Sequence, residues 1–144
     1  MIVNKHKIMQ EWVQQFLDDN HLYFQAVDAD PGVRQIVPEI GDYVVKTDIL
    51  GNKYKSYTFA FVGYESIDTG TSDVNTDNMY MFDQFSDWLE EQKAKGNFPD
   101  FGDKCSEYDI IILDNMANLS YIDDDGTARY MLGARIDYKE EDNA

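Results

Sequence analysis

Residues 77–102 read DNMYMFDQFSDWLEEQKAKGNFPDFG, and this stretch decides the fold. Met81, Phe82, Phe85, Trp88 and Leu89 recur at the spacing that gathers them on one stripe of a 3.6-residue helix. Asp77 or Asn78 is placed to cap the first turn by accepting backbone N–H bonds. Gly96 supplies a left-handed exit, and Pro99 forbids resumption. The spacing therefore predicts a helix over 78–95. Strand-like hairpins flank it on both sides, so a helix with this heavy an apolar face has to cover a sheet.

Upstream, residues 4–20 predict a first helix with Asn20 as its C-terminal cap. Ile8, Met9, Trp12, Val13, Phe16 and Leu17 form its apolar stripe, while Lys5, Lys7, Gln10, Glu11, Gln14 and Gln15 take the wet side. A strand is expected over Leu22–Val27, ended by the turn cluster 28–32. Pro38 and Gly41 interrupt the next segment, so Val33–Gly41 reads as irregular or as a short strand. A hairpin follows, in which Tyr43–Ile49 and Tyr54–Tyr64 flank Leu50-Gly51-Asn52-Lys53, with Gly-Asn suited to a two-residue turn. That register sets Asp48 opposite Lys55 and Val44 opposite Phe59. Residues 65–76, ESIDTGTSDVNT, read as a long polar loop.

Downstream, Phe98, Pro99 and Phe101 pin an ordered loop over 97–107, and Tyr108–Leu113 has the β-branched character of a strand. A second hairpin joins Met116–Ile122 to Thr127–Tyr138 through Asp123-Asp124-Asp125-Gly126. This four-residue connection pairs Tyr121 with Ala128, Leu119 with Tyr130 and Ala117 with Leu132; it also sets Ser120 beside Arg129 and Asn118 beside Met131. Along the last strand Ala128, Tyr130, Leu132, Ala134, Ile136 and Tyr138 point one way, and Arg129, Arg135 and Asp137 the other. The expected order is α-β-β-β-α-β-β. This is an α+β fold: a mostly antiparallel sheet of about 4–5 strands with two amphipathic helices packed on one face.

The length of 144 residues suits one domain, 1–144, able to bury about two thirds of its unfolded surface without a disulfide or metal. The lone Cys105 precludes an intrachain disulfide, fits synthesis in a reducing compartment and reads as an inert thiol. Ile2-Val3 is followed at once by polar residues, so no secretory h-region is expected, and no apolar run approaches the ~20 residues of a membrane span. The net charge of −16, from 28 acidic and 12 basic residues, repels phosphates and anionic lipids. Direct nucleic-acid and membrane binding are therefore not expected.

The inventory of chemical motifs is thin. His6 and His21 are the two histidines, with no serine or cysteine at a telling spacing. Zinc-type Cys/His clusters, a Walker lysine and a Gly-x-Gly-x-x-Gly are absent, so no cofactor or metal is expected. Asp68-Thr69-Gly70 matches the active-site tripeptide of retropepsin-like aspartic proteases. That chemistry needs a dimer with two carboxylates sharing one proton, and here a long aromatic helix stands where the flap belongs. Asp123–Gly126 lacks the ligand spacing of a calcium loop and reads as a hairpin turn. Arg129 and Arg135, on one face of the last strand, pair either within the chain or with an acidic patch on a neighbouring subunit. With Asp68 and Asp73 of the 65–76 loop they are the candidate interface residues. An acidic binding module, an inhibitor or DNA mimic acting on a basic partner, is an alternative class, and a retropepsin-like aspartic protease acting through Asp68 is a second.

The chain as a whole resembles the small minor capsid or tail-terminator-like proteins of tailed phages and prophages of Gram-positive bacteria. The resemblance is carried by IMQEWVQQFL (8–17), KTDILGNKYKSYTFAFVGYES (46–66), MYMFDQFSDWLEEQKAKGNFPDFG (79–102) and ANLSYIDDDGTARYMLGARIDY (117–138). It implies a non-enzymatic virion protein at the head–tail junction, made in the bacterial host cytoplasm. It further implies a ring of copies, typically hexameric, that caps the tail tube and meets the tail tube protein and a neck or head-completion protein. The family transfers no catalytic residue. An acidic lumen would let DNA pass without holding it.

Overall fold

In a computed structural model the elements are α1 (Lys5–Leu17), β1 (Leu22–Phe24), β2 (Arg34–Thr47), β3 (Lys53–Ser66), α2 (Asp73–Lys95), β4 (Cys105–Ile112), β5 (Asn118–Ile122) and β6 (Thr127–Glu140). The structure describes residues 3–18, 21–24, 33–66, 73–113, 118–122 and 127–141; the side chains of 40–43, 45, 66, 73–78 and 118–122 lie outside that description. The sheet has six strands in the order β1-β2-β3-β6-β4, with β5 also bonded to β6. β4 pairs with the C-terminal half of β6 and β5 with its N-terminal part. β1 runs parallel to β2, and the other pairings are antiparallel.

The α+β architecture is the expected one, but the strand count and order are corrected. Among the described residues six strands form rather than four or five, and the three segments read as strands downstream of α2 form three separate strands where the expected order counted two, because β4 and β5 bond separately to β6. β2 runs straight through Pro38 and Gly41, where an interruption was expected. A register shift between Pro38 and Asp42 absorbs the irregularity.

The first hairpin is also re-registered. Val44 pairs with Lys55, Phe59 with Pro38, and the last pair before the turn is Thr47 with Lys53. Asp48 sits in the turn rather than opposite Lys55, because its carboxylate accepts the N–H groups of Leu50 (3.0 Å) and Asn52 (2.9 Å). Gly51, at φ 87°, donates its own N–H to the Asp48 carbonyl at 3.0 Å. In the second hairpin Asn118 pairs with Met131 and Leu119 with Tyr130, as expected. A shift between Leu119 and Tyr121 then sets Tyr121 opposite Arg129 and Ile122 opposite Ala128, which overturns the Tyr121–Ala128 and Ser120–Arg129 pairs. Ala117 and the turn Asp123–Gly126 lie outside the described residues.

α2 starts at Asp73, five residues before the expected position, and β3 runs on to Ser66. Its exit is as read: Gly96 has φ 72°, its N–H bonds the Lys93 carbonyl at 3.2 Å, and the Asn97 N–H bonds Gln92 at 2.9 Å. α1 is shorter than 4–20: Asn4 caps Lys7 N–H, and the helix ends at Leu17, where Asp18 takes φ 58°. Asn20 and residues 25–27 of the expected first strand lie outside the described residues. β4 begins at Cys105, three residues before the expected Tyr108.

Both helices contribute to one core on one face of the sheet. Met9, Trp12, Val13 and Leu17 of α1 and Phe82, Phe85 and Leu89 of α2 join Tyr57, Phe59 and Phe61 of β3 and alternate residues of β6. Burial along β6 follows the expected alternation, with Tyr130, Leu132, Ala134, Ile136 and Tyr138 buried and Arg129, Met131, Arg135 and Asp137 half-buried. Each large side chain in this core contributes about 1.5–3 kcal/mol by leaving water.

Candidate interaction surface

The sheet face opposite the helices divides into two halves. Around the N-terminal half of β6 it is covered: Gln35, Ala60, Val62 and Tyr64 are buried, with Val33, Val37 and Met131 packed against them. Gln35 Nε2 donates to the Tyr64 hydroxyl at 3.1 Å, while Gln35 Oε1 is buried with no hydrogen-bond partner. The far face of the sheet is therefore only partly open. Val62 at one step and Ala60 at the previous one are the apolar residues that a two-sided strand requires.

The other half carries polar and aromatic groups. Ser56 Oγ donates to Asp137 Oδ1 at 2.7 Å, and Arg135 Nε donates to the same oxygen at 3.0 Å. The register explains the cluster, since Ser56 pairs with Asp137 across β3 and β6, and Arg135 stands two residues before Asp137. Next to it the Lys46 ammonium lies 4.6 Å from the Tyr54 ring centre, and Tyr54 meets exposed Tyr108 edge-on at 6.5 Å. Burial, with the Asp137 charge behind it, pushes the Tyr108 hydroxyl pKa up, so it stays protonated as a hydrogen-bond donor.

Arg135 is therefore paired within the chain yet keeps more than a third of its side chain in solvent. Arg129 Nη1 approaches Met131 Sδ at 3.6 Å, toward the covered half. The two arginines share a face but belong to different surroundings. Asp73 is the first residue of α2, and its side chain, like the whole of Asp68, lies outside the described residues.

Two features were missed from the sequence. Ile49 is fully exposed and Leu50 three-quarters exposed at the tip of the β2–β3 hairpin, where Ile49 was expected inside a strand. The signal was available in Asp48 followed by Gly51-Asn52, a sequence suited to an Asp-capped turn. The second is a cleft of about 430 Å³ lined by Val3, Lys5, Phe101, Gly102, Cys105 and Glu140, among others. Lys5 stands 5.3 Å above the Tyr138 ring beside it, and Lys55 forms an ion pair with Glu140. Burial pushes the Cys105 thiol pKa up, against the pull of Lys5, which keeps it protonated.

Glu107, near the same end, has a buried Oε2 with no hydrogen-bond partner. Burial raises its pKa, opposed by a backbone N–H bond at Phe101. A carboxyl raised in the folded state makes stability fall as pH climbs from its ordinary pKa through the raised one. Glu107→Gln should consequently raise the urea midpoint at pH 7 and leave it nearly unchanged at pH 3, where both forms are neutral. A variant less stable at pH 7 would show that the carboxylate is satisfied instead.

His6 Nδ1 lies 2.7 Å from the Tyr57 hydroxyl, and the His21 ring stands against Tyr23. Among the described residues no three His, Cys, Asp or Glu side chains gather as a metal ion requires. No helix among them is long and apolar enough to cross a membrane. In comparison with known proteins, no family model and no curated sequence matches the chain.

Proposed function

We propose that this chain is a structural phage virion protein of the tail-terminator-like or minor capsid kind. It acts at the head–tail junction as a ring of copies, six in the family it resembles, that caps the tail tube and leaves a lumen for DNA. Its partners are further copies, the tail tube protein and a neck or head-completion protein. The observation that carries the reading is the polar–aromatic half-face built by Lys46, Tyr54, Tyr108, Arg135 and Asp137. Its groups are held by ring contacts and hydrogen bonds, and tyrosine and arginine are the residues that protein interfaces concentrate. Two helices occupying the opposite face leave this half available to a neighbour. The charge of −16 supports a lumen that DNA traverses without adhering.

Negative-stain imaging of purified protein mixed with tail tubes tests this. Capped tubes and rings are expected. Arg135→Glu should abolish them at a stability cost of roughly 1–3 kcal/mol, since it sets an acid beside Asp137, whose side chain is 13% exposed. Tubes left uncapped by the wild-type chain overturn the reading.

A further inference from the structure

Register places the exposed hairpin tip and the cleft at one end of the molecule. Lys53 pairs with Glu140, and Glu140 pairs with Cys105, so the β2–β3 turn, the end of β6 and the start of β4 come together there. Lys5, above Tyr138, brings in the start of α1. The tip is built to hold still: Asp48 N–H bonds the Asn52 carbonyl at 2.9 Å, and its carboxylate takes bonds from Leu50 N–H, Asn52 N–H and Asn52 Nδ2. Desolvation pushes the Asp48 pKa up, but those hydrogen bonds together outweigh it and hold the carboxyl below its ordinary value. Hairpin turns are normally polar, so two aliphatic side chains aimed into water on a fixed turn form a preorganised apolar prong.

Charge selects the occupant. At −16, copies of this chain repel one another over most of their surface. Lys5, Lys46, Lys53, Lys55, Lys104 and Lys139, half of the 12 basic residues, stand at this one end, where they offset the carboxylates of Asp48, Asp103, Glu140 and Glu141. It is the end at which two copies approach with least repulsion. The cleft there has an apolar floor of Val3, Phe101 and Gly102 and a rim of Asp103, Lys104 and Glu140, and its volume lies in the range of binding clefts. The cleft's own charges, Lys5 and Lys104 against Asp103 and Glu140, balance, so an aliphatic tip enters an apolar socket without meeting a net like charge.

We infer that a second copy of this chain seats its Ile49–Leu50 tip in the cleft beside Cys105. The inference deepens the assembly reading, and rests on it, by naming the contact through which copies join. Prong and socket are different surfaces of one chain. The contact therefore either repeats around a ring or is exchanged reciprocally about a twofold axis.

Cysteine mapping decides it. In Leu50→Cys the native Cys105 remains, and oxidation should give species of doubled and higher mass on non-reducing gels, with the 50–105 disulfide found by peptide mapping. Leu50→Cys/Cys105→Ser should lose that link. Ile49→Asp/Leu50→Asp should weaken self-association in sedimentation equilibrium by about tenfold or more while keeping the wild-type melting temperature. A monomer at every concentration, or links solely between position 50 and itself, overturns the inference. Rings or capped tubes without the 50–105 link overturn it and leave the assembly reading standing. Linked species that stop at dimers support the contact and overturn the ring.

Discussion

Phe61→Ala is expected to lower the free energy of unfolding by about 3–5 kcal/mol, a large part of the roughly 5–15 kcal/mol that holds a domain together. Phe61 is fully buried on β3, the strand between β2 and β6. Its ring stacks on Phe85 at 4.3 Å and meets Phe82 at 5.6 Å and Phe16 at 6.0 Å. One side chain thus touches both helices and anchors both to the sheet. Truncation removes the ring's burial and leaves a hole bounded by three other rings, which cannot all turn inward because each is already engaged. Phe85 also stacks on Trp88 at 5.9 Å, and Phe16 leans on the same indole at 5.8 Å. Urea unfolding followed by far-UV circular dichroism measures the loss, with Thr58→Ala, a half-buried residue of the opposite face, as the control that should cost less than about 1 kcal/mol. Equal small losses in the two variants would mean that the helices do not rest on β3.

That aromatic core was legible in the sequence, and the reason is periodicity. The spacing of Phe82, Phe85 and Leu89 allows one helical face, and the alternation of Tyr130, Leu132, Ala134, Ile136 and Tyr138 allows one sheet face. These patterns depend on local geometry alone, so they survive without knowledge of partners. Gly96 was equally readable, since the left-handed exit is a property of the residue itself.

Register and pairing were less legible because they depend on groups distant in sequence. Asp48 has two competing uses, a cross-strand partner for Lys55 or a cap for its own turn, and local hydrogen bonding wins. Pro38 looked like a strand break because a proline interrupts a regular ladder; it stands where a register shift loosens the β2–β3 pairing, a fact set by the two strands together. The same limit applies to the candidate surface. The sequence placed Arg135 on the face opposite the core, but the Asp137 carboxylate that holds it serves Ser56 as well, and that link needs the β3–β6 register. The Tyr54–Tyr108 contact joins strands that flank β6 on either side, so no sequence period announces it.

Val62→Asp should be the most damaging single change on the face away from the helices, costing several kcal/mol and leaving little folded protein. Val62 is fully buried, among Ala60, Tyr64, Val33, Val37 and Met131. None of these supplies a cation; Arg129, whose Nη1 reaches Met131 Sδ at 3.6 Å, stands at the border of the cluster, and a carboxylate at Val62 still loses its hydration. The nearby Gln35 amide already has an unbonded oxygen, which repels a second acceptor rather than satisfying it. The chain's own fold, not a neighbouring copy, excludes water from this half. Loss of soluble monomer, or a collapse of the thermal transition in Val62→Asp, is therefore expected in the absence of any partner. Arg135→Glu, on the same face but in the half that reaches solvent, should keep a cooperative transition, lowered by several degrees because the new acid stands beside Asp137. The contrast is sharper than either variant alone, because both introduce an acid on one sheet face. A tolerated Val62→Asp would mean that this half is open as well, and copy-to-copy contact could then spread over the entire sheet instead of the Arg135–Tyr108 half.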